Sequence, residues 1–69
     1  MSAYHPRFVA YARTQGMTPD ALFARDRGNM APFIAWVQGQ WREFIAAHGV
    51  LTLDDKHARF DAWLDARTA

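Results

Sequence analysis

The sequence contains no cysteine, and its 69 residues include only four glycines and three prolines. The absence of cysteine excludes a disulfide framework and a thiolate metal site, and it is typical of proteins of a reducing cytoplasm. The net charge of +1 excludes a strong field that would attract nucleic acid or an anionic membrane. No apolar run approaches the roughly 18 residues of a membrane span, and the N-terminus lacks a signal-peptide core. We therefore expect a soluble cytoplasmic protein.

Apolar periodicity and helix-terminus signals predict a compact all-α domain of four helices, at about residues 6–15, 19–27, 30–48 and 53–67. Proline in the first turn favours the starts of the first and second helices. Thr18, Asn29 and Thr52 are placed to cap the second, third and fourth helices. The sequence shows no strand pattern, repeat or linker, so the chain is expected to form a single domain.

The third predicted helix, residues 30–48, is the one around which we expect the other three to pack. Its large apolar residues fall within an arc of about 120° on one side, as in a core-facing helix. Its most buried side chains are therefore expected to include Phe33, Val37, Trp41 and Phe44.

A ridge of small residues, Ala35, Gly39 and Ala46, follows another side of the same helix. Glycine in a helix interior is less stable than alanine by about 0.5–1 kcal/mol, so we expect the space at Gly39 to be used. The helix that crosses there is either the first helix of the chain or a second protein, which includes a second copy in a homodimer. The residues expected to bind a partner are Ala35, Trp36, Gly39, Arg42, Glu43 and Ala46.

Residues 20–37 resemble the DNA-binding helix-turn-helix in their spacing. Ala24, Ile34 and Val37 stand at the distances from the turn glycine Gly28 that pack the two helices of that motif. The resemblance implies a DNA-binding protein or transcriptional regulator. Base readout needs side chains that match the donors and acceptors of the major groove. Few such groups stand at the positions that would face the bases, which are Met30, Ala31, Pro32, Ala35, Trp36 and Gly39.

No catalytic pattern stands out in the chain. His5, His48 and His57 lack metal-ligand spacing, and the sequence has no Gly-rich phosphate loop, nucleophile elbow or obvious carboxylate pair. We therefore expect no enzymatic activity, no cofactor and no metal site.

In size, composition and the stretch MTPDALFARDRGNMAPFIAWV, the chain resembles small helical accessory proteins encoded by phages and prophages. The resemblance implies a protein that binds a host protein complex in a bacterial or phage-infected cell, with inhibition as one form of action. It transfers no functional residue to this sequence. A non-enzymatic protein–protein interaction module is therefore the expected function, with the helix-turn-helix DNA binder as the alternative.

Overall fold

A computed structural model describes residues 4–49 and 53–69, which form four α-helices and no strand. The helices are α1 (Pro6–Thr14), α2 (Pro19–Arg25), α3 (Ala31–His48) and α4 (Leu53–Thr68). The predicted all-α class is confirmed, and each predicted boundary lies within about two residues of the observed one. No helix of the described chain is long and apolar enough to cross a membrane.

The starts of the helices follow from local side-chain contacts. Thr18 accepts a hydrogen bond from the backbone N–H of Ala21, as the sequence predicts for the cap of α2. Asn29 accepts one from the N–H of Ala31 at 3.1 Å, although the N-cap position of α3 is Met30. The predicted cap Thr52 lies outside the described residues. Local chemistry therefore fixes where α2 and α3 begin.

The helix that packs against each of the other three is α1. Within α3, only Phe44 is fully buried, while Phe33, Val37 and Trp41 are half-buried. The structure thus differs from the expectation that the third helix is the centre. The physical reason is that α1 places alanines between its aromatic residues, so its neighbours approach closely. The buried residues of α1 are Phe8, Ala10, Tyr11 and Ala12.

The core consists of two clusters that share α1. One joins α1 to α2 and contains Phe8, Tyr11, Ala12 and Leu22. The other joins α1 to α3 and α4 and contains Ala10, Phe44, Phe60 and Leu64. Aromatic edge and tilted contacts run through both clusters, and such pairs stabilise beyond the area that they bury.

Charged contacts fix α4 on α1. Arg7 donates to Asp61 over 2.5 Å, and its guanidinium lies 4.9 Å from the centre of the Phe60 ring. Arg13 pairs with Asp65 at 2.7 Å, about 9 Å further along α1 at 1.5 Å per residue. Asp61 and Asp65 of α4 are therefore each paired with an arginine of α1.

Candidate functional site

The outward side of α3 is poor in charge. Between Ala31 and His48 the formally charged side chains are Arg42 and Glu43, both exposed. Glu43 accepts a hydrogen bond from Gln40 and lies 3.7 Å from Arg67, whereas Arg42 makes no ion pair with any described residue. The solvent side of a helix normally carries several charged residues, so this side of α3 has the composition of a surface that can be covered.

The small ridge lies within this outward side. Ala35 and Ala46 are exposed, and no described atom outside the helix backbone comes within 4 Å of a Cβ built on Gly39. The alternative in which the first helix crosses at Gly39 is therefore wrong. The space at Gly39 is open, and the second alternative, a crossing by another protein, stays a prediction.

Trp36, which the sequence places beside the ridge, packs toward the core. Its ring lies 5.3 Å from that of Tyr11, and the side chain contacts both core clusters. It is half-buried. Trp36 therefore supports α3 from the inner side, and only its exposed part is available to a partner.

The packing that the helix-turn-helix resemblance implies is absent from the described chain. Ala24 is exposed, and 51% of the surface of Ile34 is accessible. In that motif these residues would lie against each other between the two helices. Here α2 is short and packs on α1 instead, so its outer face does not meet α3.

An open groove, which we call the α3 groove, follows α3 on the side next to Ile34. It consists of two adjoining depressions of about 380 and 400 Å³. They share Arg7, Val37 and Gln38, which makes them continuous. The apolar lining is Phe33, Ile34, Val37, Trp41 and Phe60, and the polar lining is His5, Arg7, Gln38, Arg42 and His57.

The polar lining of the α3 groove is basic and contains no carboxylate. Arg7 lies 3.2 Å from Nδ1 of His57. A guanidinium can only donate, so a hydrogen bond between the two groups uses Nδ1 as the acceptor. The His57 ring is stacked on Trp41, and Nζ of Lys56 lies 5.8 Å from the centre of the Trp41 ring. The end of the groove near α4 is therefore held by stacked and hydrogen-bonded groups.

At the other end, beyond His5 and Phe33, a smaller depression of about 210 Å³ continues toward α2. Tyr4 lies there and donates a 2.8 Å hydrogen bond to Asp20. This bond raises the pKa of the Tyr4 hydroxyl above its ordinary value of 10.0, because ionisation would place a second negative charge beside the carboxylate. The bond fixes the chain before α1 to the start of α2.

No protein-family model matches the chain, and no similar curated protein or solved structure is found. The function of the α3 groove therefore has to be inferred from its lining. Among the described residues no three histidine, aspartate or glutamate side chains cluster as metal ligands. The α3 groove therefore offers an apolar floor and a basic rim to whatever binds there.

Sequence reasoning found the ridge but missed the groove beside it. The sequence places Ile34 and Val37 in the apolar arc of this helix, and it assigns none of His5, Arg7 and His57 to a partner site. Periodicity identifies the apolar arc of about 120° on this helix but does not show which part of it the neighbouring helices cover. The uncovered edge of that arc is where Ile34 lies.

Proposed function

We propose that the protein is a non-enzymatic interaction module that binds another protein through the outward side of α3. The observation that carries this proposal is Ile34, whose surface is 51% accessible beside an open apolar groove. A fully buried isoleucine side chain stabilises by roughly 1.5–3 kcal/mol, so about half of that is left unused in the isolated chain. A partner that covers Ile34 would gain this remaining burial free energy.

The small ridge adds a geometric reason for a helical partner. Small side chains allow two helices to come closer than the usual 8–10 Å between axes, and the space at Gly39 is open. Arg42 and Glu43 then lie at the polar edge, where charged contacts set orientation and association rate more than affinity. We propose that the partner-binding residues are Ala35, Gly39, Arg42, Glu43 and Ala46, with Trp36 behind them.

The size and the composition of the chain favour an accessory role, in which the protein covers a surface of a host complex and thereby inhibits it. A stable interface buries about 800 Å² on each partner. This is about one sixth of the 4765 Å² accessible surface of the chain. A single helix face together with the adjoining groove can supply that area. A homodimer through the ridge would use the same surface.

The proposal is tested by affinity capture with matched variants. The tagged protein is compared with Ile34→Glu, Gly39→Leu and Arg59→Glu, after circular dichroism has shown that each is folded. Arg59 is an exposed arginine of α4, outside the α3 groove, and serves as the control. We expect a protein that is retained by the parent and by Arg59→Glu and lost with the two α3 variants.

Equal capture by all four proteins would show that the outward side of α3 is not the binding surface. The DNA-binding alternative gives a different result. It predicts tight binding to duplex DNA that weakens steeply with salt, because each neutralised phosphate releases counterions. If the protein binds duplex DNA in this way and Ile34→Glu leaves the binding unchanged, DNA binding replaces the proposed function.

A further inference from the structure

We propose that the occupant of the α3 groove is a helical segment of the partner that carries acidic residues beside an apolar stripe. This inference rests on the proposed function and names the chemistry of the partner. Three observations support it: the positive charge of the lining, the shape of the groove, and the ion pairs that hold Asp61 and Asp65 against α1.

The charge of the lining selects an acidic partner. The charged side chains of the lining are both arginines, and its other polar side chains are two imidazoles and Gln38. The charge of Arg7 is offset by Asp61, but Arg42 is exposed and unpaired within the described chain. Lys56 adds a further positive charge next to Trp41. A basic segment would be repelled here, whereas glutamates or aspartates along the edge of a helix would pair with these groups.

The shape of the groove suits a helix. From Phe33 to Arg42 the groove follows α3 for nine residues, or about 14 Å at 1.5 Å per residue. An amphipathic helix that lies in a groove is read through apolar residues at three- and four-residue spacing, and about two and a half turns fill this length. A strand would need an unpaired sheet edge, and the described residues form no sheet.

A second copy of the chain fits less well. Two of its acidic side chains, Asp61 and Asp65 of α4, are already bound to arginines of α1. The groove of a second copy has the same basic rim, so two grooves placed face to face repel each other. The acidic helix is therefore assigned to a different protein.

The test uses three fluorescein-labelled synthetic peptides of about 14 residues and the 69-residue protein. The first has leucines at three- and four-residue spacing flanked by glutamates, the second has lysine in place of each glutamate, and the third keeps the glutamates but has serine in place of each leucine. Binding is measured by fluorescence anisotropy at low and at physiological ionic strength. We expect the first peptide to bind at least about tenfold more tightly than either of the others, and to weaken with salt as exposed charges are screened.

Protein variants locate the binding site. Arg42→Glu and Ile34→Ser are each expected to weaken the binding of the first peptide by about tenfold, the size of one charged or apolar contact. The matched control Arg59→Glu makes the same charge change on an exposed arginine of α4 and should leave the affinity unchanged. Equal binding of the glutamate and lysine peptides, or equal losses with Arg42→Glu and Arg59→Glu, would overturn the inference.

Failure of this inference differs from failure of the proposed function. If affinity capture depends on Ile34 and Gly39 while no acidic peptide binds, the interaction surface stands and the acidic helix is wrong. If a short duplex DNA binds the α3 groove and displaces the first peptide, the assignment of a protein helix is overturned. If the peptide binds and is lost only with the α3 variants, the acidic helix is supported.

Discussion

Gly39 gives the sharpest stability prediction, because the structure separates the low helix propensity of glycine from the space that its missing side chain leaves for a neighbour. It lies near the middle of α3, where alanine is more favourable by about 0.5–1 kcal/mol, and nothing described lies within 4 Å of an added Cβ. Gly39→Ala should therefore stabilise the isolated protein. In a domain of this size 1 kcal/mol shifts the melting temperature by about 4–8 °C, so we expect an increase of about 2–8 °C.

The matched control is Gly16→Ala. Gly16 also has nothing within 4 Å of an added Cβ, but its φ is +65°, a conformation that alanine disfavours by roughly 1–2 kcal/mol. The same substitution should therefore lower the melting temperature by about 4 °C or more. Both melts are followed by circular dichroism. If Gly39→Ala melts at or below the parent temperature, the space at Gly39 is occupied in the isolated protein and the reasoning is refuted. We also expect Gly39→Ala to weaken association with a partner.

Three further substitutions test the fold. Phe44→Ala should lower the free energy of unfolding by about 3–5 kcal/mol in urea titrations, because Phe44 is 1% exposed, and an unchanged midpoint would place the core elsewhere. Thr18→Ala should lower it by about 1 kcal/mol through loss of the α2 cap, with Thr18→Ser as the control that keeps the hydroxyl. In a Tyr11→Phe background, Asp20→Asn should lower the pKa of Tyr4, measured by phenolate absorbance, toward 10.0. Because that pKa is raised in the folded state, the Tyr4 bond stabilises the fold below pH 10 and is lost as pH rises through the folded pKa. An unchanged titration would contradict the Tyr4–Asp20 bond.

The helix positions could be predicted from sequence because they depend on neighbours along the chain. Thr18 followed by Pro19 specifies the start of α2 by a side-chain cap and a fixed φ. A left-handed glycine, Gly16, follows α1 and permits the turn into α2. Signals of this kind act within one turn and need no knowledge of the tertiary packing.

The centre of the fold could not be predicted in this way, because it depends on which helices approach closely. The small residues Ala10 and Ala12 are almost completely buried in α1, and neither stands out in a hydrophobic pattern. The α3 groove has the same origin: α1 and α4 cover part of the apolar arc of α3 and leave Ile34 at its edge. Periodicity identifies an apolar face, but only the positions of the neighbouring helices decide how much of it is covered.

The most direct test of the interaction surface is site-specific photo-cross-linking. A benzoylphenylalanine placed at Gln38, an exposed residue of the α3 groove, is compared with one at Arg59 on the exposed surface of α4. The cross-linking group reacts only with what lies against it, so each position samples one surface in the presence of the partner from affinity capture. We expect a covalent adduct from position 38 and none from position 59. An adduct from position 59 alone would contradict it.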